Sequence, residues 1–514
     1  MRDLQVVKSE DWCFPQNFAE RAAAAAHAKQ AHFKRRTIAA PPRIDRLRQP
    51  ADLRRIFMSA FTAAEPAVAA THNISLYRAI WRWHFFAGLL VIPFMLNLAI
   101  TGSLYLFKDQ IADTFYSHRY LVAETGTMRQ PQQIVDAALA AFPGARATSY
   151  HEASAPDRSA WVTVSRDGQS TIVYVNPYDG SILGSVGSKQ EFGWVVKRIH
   201  SLEYFGEWTN RLIEIAAGFA LVLVVTGIYL WWPRQQAGGV LTVRGNPSRR
   251  VFWRDLHAVT GALAGVLIFF LAFSGMPWSG YWGANVNTWL TAHNFGTPAA
   301  LWDDVPKSTK VTQDVVGRAG WVVENAPVPL SDIAAAQSAK PIGLNRAVHI
   351  MHGLGMVAGS DLAIPTDETG VYTASHYFGD LGEERTVHID QYSGKPLVDI
   401  SYDQYPALGK AIEWGINVHQ GQEWGLFNQL LMLAACLAII LCCVTAATMW
   451  WKRRPSGRLG VPPMPPQKTV YVGLWLIAII FGVAFPLTGA AIVAMLLLDQ
   501  FVVRFVPPLR RFFS

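Results

Sequence analysis

Five apolar runs, near residues 80–107, 209–232, 253–277, 426–451 and 470–498, constrain the fold more than any other feature of this chain. Each is long enough to cross a bilayer as a helix, which takes roughly 20 residues. Within hydrocarbon every backbone N–H and C=O must be paired inside the segment, so runs of this length read as spanning helices. The 19 Trp and 27 Phe of the 514 residues fit a chain with two lipid–water interfaces to anchor. A mean hydropathy of +0.18 fits the same reading. We therefore predict five transmembrane helices. The first 75 residues are polar and basic, and the first apolar run starts far from the N-terminus, so no cleavable signal peptide is expected.

The net charge of +8 would suit a nucleic-acid binder if it were spread over one surface. It is not. Residues 1–82 hold 14 Lys and Arg against 7 Asp and Glu, and the short loops 233–254 and 452–468 hold 5 basic residues each and no acidic one. The long loops reverse the balance, with 9 basic and 11 acidic residues in 108–207 and 8 basic and 16 acidic in 278–425. Basic residues flanking spans mark the cytoplasmic side. The N-terminus and both short loops are thus expected inside, and both long loops in the periplasm of a bacterial inner membrane. Nucleic acid is not an expected partner. A fifth span would leave the tail RFVPPLRRFFS outside, against this trend, unless Pro486 breaks the span into a re-entrant pair that returns the tail inside.

The spans repeat. Aligning His84 with His257 superposes Gly88 on Gly261, Thr101 on Ser274 and Gly102 on Gly275. Aligning His200 with His419 superposes Gly206 on Gly425, Val225-Thr226 on Val444-Thr445, Trp231-Trp232 on Trp450-Trp451 and Arg234 on Arg453, in both cases without a gap. The long loops echo each other in VYVNPYDGSILG and VHIDQYSGKPLVD, each an alternating strand, a turn ending in Gly180 or Gly394, and a second strand. QQIVDAALAAF before the first hairpin has helical periodicity. Each half is then helix, outer α+β module, helix. Both halves start and end inside, which makes them parallel repeats about an axis along the membrane normal.

This arrangement sets the repeated histidines at two depths. His84 and His257 follow basic cytoplasmic segments by a few residues, near the inner face. His200 and His419 precede the Trp-Trp pairs by 31 residues, roughly 45 Å of helix, and so lie at or beyond the outer face. The repeat axis places each pair across the bundle centre. Two histidines facing each other in a bundle are the arrangement that ligates a b-type haem from both sides, so two pairs predict two haem b groups. Gly88 and Gly261, one turn from the inner histidines, would leave room for a macrocycle; Gly102 and Gly275 suit that role or close helix packing equally. The Trp-Trp pairs read as interface anchors. There is no C-x-x-C-H for covalent haem. Cys13, Cys436, Cys442 and Cys443 offer no disulfide pair. His349, His352, His376 and His388 read as outer-loop residues, and His27 and His32 as part of a solvated or membrane-surface helix.

The helix starts WHFFAGL and LHAVTGALAG, the entries IHSLEYFG and VHQGQEWG, and the units VYVNPYDG and VHIDQYSG resemble the PepSY-associated transmembrane proteins over about residues 78–498. Some of that family are di-haem ferric-siderophore reductases of the inner membrane. The resemblance implies a four-helix bundle of two parallel repeats plus a fifth helix, with two small α+β PepSY-like periplasmic domains. It also implies haem ligands at His84 and His257 on the cytoplasmic side and at His200 and His419 on the periplasmic side.

The expected division is an N-terminal extension (1–75), helix 1 (76–107), outer domain 1 (108–198) and helix 2 (199–233), with a loop at 234–252. Helix 3 (253–277), outer domain 2 (278–412) and helix 4 (413–452) follow, then a loop (453–469), helix 5 (470–498) and a tail (499–514). The expected function is one-electron transfer from a cytoplasmic or quinol donor, through both haems, to a periplasmic ferric siderophore, which then releases Fe(II). Outer-sphere transfer needs no catalytic base. Arg82 and Arg254 inside, and Arg198 and Arg211 outside, are candidate propionate partners, although Glu214 at i+3 could pair with Arg211. Another periplasmic acceptor or a quinone-linked cytochrome subunit uses the same frame. A haem-free regulatory or binding protein of the PepSY type is the alternative of another class.

Overall fold

The computed structural model describes residues 50–513 apart from 235–237, 299–301, 318, 333, 335–338, 378, 463–469 and 504. Most of the N-terminal extension, including His27 and His32, lies outside the described residues. The chain divides into two compact units, Met1–Thr71 and His72–Ser514. The first is described only as the beginning of helix α1 (Pro50–Leu106), and everything below concerns the second.

Among the described residues, four helices are long and apolar enough to cross a membrane: Leu76–Leu106 within α1, Glu207–Trp231, Arg250–Trp278 and Leu426–Arg453. They bury a shared core that includes Ala87, Val91, Phe219, Ile268 and Ile439. Two of them start later than expected. The second crossing is α4 (Glu207–Trp231), and His200 ends a separate short helix, α3 (Phe192–His200), before it. The fourth is α8 (Leu426–Arg453), preceded by α7 (Ala407–His419), which ends on His419. The breaks have a backbone cause. Gly206 at φ +115° and Gly425 at φ +55° hold conformations that residues with a Cβ rarely adopt, so each long helix must begin after its glycine. The outer histidines therefore sit on short helices outside the spans, rather than on one continuous helix.

The two long loops build one sheet, not two modules. Helix α2 (Pro131–Ala141) precedes β1 (Arg146–His151), β2 (Ala160–Arg166), β3 (Gln169–Val175) and β4 (Ile182–Gly187). In the second loop α6 (Leu344–Gly353) precedes β5 (Asp361–Ala363), β6 (Val371–His376), β7 (Arg385–Asp390) and β8 (Pro396–Ser401). The order across the sheet is β8-β7-β6-β5-β1-β2-β3-β4. The halves join at the antiparallel pairs Ser149↔Ala363, Tyr150↔Leu362 and His151↔Asp361. Each four-stranded half alone would expose an edge at that seam, and pairing the two edges satisfies it. Residues of α2 and α6 share one core over the sheet. The two hairpins match: Gly180 (φ +74°) donates to Asn176 O, and Gly394 (φ +72°) to Asp390 O.

The expected fifth span is two helices, α9 (Val470–Ala484) and α10 (Pro486–Leu497). Pro486 takes the first helical position, where its missing N–H costs nothing, and forces Phe485 out of helical geometry. The arms cross at Gly482 and Gly489, where any Cβ on Gly489 would collide with the Gly482 backbone. Trp282 Nε1 donates to Ala484 O near the tip. The tail helix α11 (Pro507–Phe513) comes back to the loop after α8, where Leu459 and Val461 donate to Phe512 O and Phe513 O. The same loop meets the start of the first crossing, Arg82 donating to Pro462 O at 2.6 Å. The C-terminal pair thus folds back on itself, and the tail helix meets the loop after α8 at the bundle's basic end.

Candidate functional site: four histidines held by hydroxyls

Each repeated histidine meets a hydroxyl on a helix of its own half. His84 Nδ1 lies 2.9 Å from Thr226 Oγ1, and His257 Nδ1 lies 3.0 Å from Thr445 Oγ1. His200 Nδ1 lies 3.0 Å from Thr101 Oγ1, and His419 Nδ1 lies 2.9 Å from Ser274 Oγ. The proton direction follows from the second bond of each hydroxyl. Thr226, Thr445, Thr101 and Ser274 donate to the carbonyls of Val222, Leu441, Asn97 and Phe270, at 2.7, 2.7, 2.5 and 2.6 Å. With its one hydrogen spent, the oxygen accepts from the ring, so Nδ1 carries the proton. The lone pair of all four histidines is then on Nε2, the state of a neutral metal-binding imidazole oriented by a hydrogen bond from its other nitrogen. These hydroxyls stood at matched repeat positions in the sequence, a signal that could have assigned them this role.

The inner pair faces itself across the bundle. The His84 and His257 ring centres are 6.3 Å apart, with planes at 83°. A metal–imidazole bond is about 2.0–2.1 Å, and ring nitrogens lie about 1.1 Å from the ring centre, so two imidazoles on opposite sides of one metal have centres roughly 6.3 Å apart. Both rings border a cavity of about 510 Å³, also lined by Gly88, Gly261 and Arg254. A Cβ on Gly88 or Gly261 would meet only Leu223 at 3.8 Å or Cys442 at 3.9 Å, so it is the bare glycines that keep this space open. Among the described residues no three His, Cys, Asp or Glu gather as a site for a bare ion. Two facing histidines suffice as protein ligands where a macrocycle fills the remaining positions.

The outer pair ends two short helices. His200 is held at the end of α3, where the Ile199 and His200 carbonyls accept from Asn97 and the next carbonyl, that of Ser201, accepts from Asn210. Asn428 does the same for Val418 O beside His419. Burial pushes the His200 imidazole down to about 4. Burial first, and then the charge of His200, push His419 down to about 3, so both rings are neutral at physiological pH. Gly102 and Gly275 lie against these rings, a Cβ there standing 3.4 Å from His200 Cε1 or 3.2 Å from His419 Cε1. They make room for the histidine itself, a use distinct from both expected ones. Thr101 is 17 residues beyond His84 along α1, which separates the two levels by roughly 25 Å.

The arginines divide. Arg254 borders the inner cavity, but Asp255, which is fully buried, accepts from it at 2.6 Å and from Arg244 at 2.8 Å. Arg250 and Arg453 also line that cavity and were not singled out, although Arg453 stood at a matched position. Arg82 is occupied with Pro462 O, and Arg198 pairs with Glu203. Arg211 lies over the Trp208 ring at 4.1 Å rather than pairing with Glu214, which accepts from the Tyr281 and Trp282 N–H groups. In the sheet domain His352 pairs with Glu152, and His376 lies near Glu383. His388 is wholly buried, its Nδ1 2.9 Å from Thr373 Oγ1. His349 has no assigned role.

The outer pair also borders the aqueous domain. Trp278 meets His419 edge-on, ring centres 6.1 Å apart, and the Lys197 ammonium lies over the Trp278 ring at 5.9 Å. Lys197, one turn before His200 on α3, lines a second cavity of about 400 Å³ with Trp161, Tyr174 and Trp194. The sequence profile of one family, the PepSY-associated TM region, matches residues 81–453, and comparison with curated proteins gives no match.

Proposed function

The chain belongs to the PepSY-associated transmembrane family, and from that premise we propose that this multi-pass membrane protein is a di-haem oxidoreductase that carries single electrons across the bilayer. The observation that carries the reading is the matched set of four Nδ1-protonated histidines at two levels, with the inner rings spaced for one metal atom between them. A haem b at each level would accept and release one electron. The protein's part is to present four oriented Nε2 lone pairs, exclude lipid from the inner cavity through the helices around Gly88 and Gly261, and offer cationic Arg250 and Arg453 to acidic groups at its rim.

Electrons would enter at the basic end, taken as cytoplasmic from its charge, from a quinol or a soluble reductant. They would leave near His419 and Trp278 toward the periplasmic cavity at Lys197. We propose a ferric siderophore as acceptor. Hard oxygen ligands hold Fe(III) far more tightly than Fe(II), so one electron suffices to loosen the metal. A cavity of about 400 Å³ is the size of a small-molecule site, which favours a chelate over a redox protein.

The optical spectrum of the purified protein tests the cofactor. Reduction should give a sharp b-type α-band, and its absence ends this reading in favour of a haem-free protein. His84→Ala and His257→Ala should each remove the same half of the signal, and His200→Ala and His419→Ala the other half. Anaerobic reoxidation by a panel of ferric siderophores tests the acceptor: none faster than buffer would return the choice to another acceptor or a quinone.

A further inference from the structure

Two buried carboxyl groups of the second half take no part in that scheme. Glu384 is 4% exposed and Glu413 is fully buried. Both Oε1 atoms crowd the position a Cβ would take on Gly320, Glu413 at 3.0 Å and Glu384 closer, so the two oxygens lie within about 6 Å of each other. Tyr405 donates to Glu384 Oε1 at 3.0 Å, and the Val322 N–H to Glu413 Oε1 at 2.7 Å. The remaining oxygen of each, Oε2, is buried with no hydrogen-bond partner among the described residues. The other titratable groups facing the pair are Tyr377, Tyr402, Glu324 and, further off, Tyr105, Glu423 and Asp403; Lys197 faces Glu324, and the Lys410 ammonium lies over the Tyr402 ring. Two unsolvated carboxylates this close cannot both be ionised, and each unpartnered Oε2 is a place where a proton would sit.

The pair is also tied to the electron exit. Glu413 lies on α7 six residues before His419, and the Trp321 indole, next to Val322, donates to Pro277 O beside Trp278. We propose that Glu384 and Glu413 form a proton-holding pair that takes up a proton when an electron arrives at the His200/His419 level and releases it when the electron leaves. The inference rests on the electron-transfer reading. The electron comes from the donor of that route and the proton from water on the sheet side. Only the carboxyl O–H bond forms or breaks, so the added negative charge is neutralised where solvent cannot reach. Burial raises both groups, and the neighbouring Glu384 carboxylate raises Glu413 further, so the pair holds a proton at a pH where an exposed carboxyl has lost its own, and an arriving electron strengthens that hold.

Redox titration of the haem-loaded protein at several pH values tests this. The potential of the outer centre should fall with rising pH, with a slope approaching one proton per electron over the range in which the pair titrates, while that of the inner centre stays flat. Glu413→Gln and Glu384→Gln keep the acceptors for Val322 and Tyr405, and each should flatten the outer slope without altering the spectrum. Infrared difference spectra should show a protonated carboxyl that persists above the usual carboxyl range and is missing in Glu384→Gln. A flat outer potential in the unaltered protein, a slope that survives both variants, or a missing infrared band overturns the coupling and leaves electron transfer standing. Absence of any haem spectrum overturns both.

Discussion

At the basic end of the bundle the histidines ride on the first crossing of each half and their hydroxyls on the second. At the sheet end the order is reversed, with His200 and His419 before the second crossing and Thr101 and Ser274 on the first. Every hydroxyl–histidine bond therefore ties the two crossings of one half to each other, whereas each histidine pair is drawn from both halves. The inner histidines sit within long helices, so helix packing alone sets their spacing. The outer ones hang on α3 and α7, behind positive-φ breaks, and depend on Asn97, Asn210 and Asn428 for their seat. The inner histidines are held by the bundle itself, the outer ones by short helices jointed to it.

Filling the inner cavity should separate the two most completely. Gly88→Leu with Gly261→Leu keeps helical propensity and meets no clash at Cβ, but projects two side chains into the 510 Å³ space. The inner half of the haem signal should vanish while the outer half stays in the reduced-minus-oxidised spectrum. Loss of both halves would mean that the levels are not independent. The outer counterpart is Gly275→Val, whose Cβ would stand 3.2 Å from His419 Cε1. Overpacking of this kind costs about 1–3 kcal/mol. It should weaken the outer signal alone, and an equal loss at both levels would break the comparison.

Removing a hydroxyl should act more mildly, through ring orientation. Loss of such an orienting partner typically weakens metal retention by roughly 10–100-fold. Thr226→Val should fall in that range for the inner site. Thr445→Val should fall below it, because the Cys442 carbonyl, 3.1 Å from His257 Nδ1, remains as an acceptor. Competition with an apo-haem acceptor protein would rank the two variants. The reverse ranking would show that the hydroxyls are not what orients these rings.

The membrane crossings were legible in the sequence because apolar length reports directly on a bilayer. The candidate histidines stood out because two gap-free alignments pair His84 with His257 and His200 with His419, and the rings of the first pair do face each other in the structure. The hydroxyl bonds were not read, since matched spacing marks Thr226 and Thr101 as repeated residues but does not say which helix they face. The joined sheet was also hidden, because the β1–β5 seam unites residues about 210 apart through backbone groups that any sequence supplies. The folded-back C-terminal pair was half visible. Pro486 announces a break, but the direction of return depends on the Gly482–Gly489 crossing and on the tail's bonds to Leu459 and Val461. Arg211 illustrates a local rule overridden: i+3 spacing from Glu214 suggested an ion pair, and the carboxylate instead serves N–H groups at Tyr281 and Trp282.

The smallest expected effect lies in the joints themselves. Two residues after each outer histidine the chain turns with positive φ, at Leu202 (φ +56°) and at Gly421 (φ +77°). A left-handed conformation costs a residue with a Cβ about 1–2 kcal/mol. Leu202→Gly relieves that strain but adds about 0.5–1 kcal/mol of unfolded-state entropy and loses the contacts of a half-buried side chain. The net change in stability should stay within about 1 kcal/mol of zero. Gly421→Ala has no such offset: it takes on the strain and sets a Cβ 2.7 Å from Leu106 Cδ2. It should destabilise by more than about 1 kcal/mol and loosen the outer site alone. Thermal unfolding of the two variants, followed at both haem levels, compares the joints directly. Equal effects at positions 202 and 421 would show that the turns do not limit how firmly the outer histidines are held.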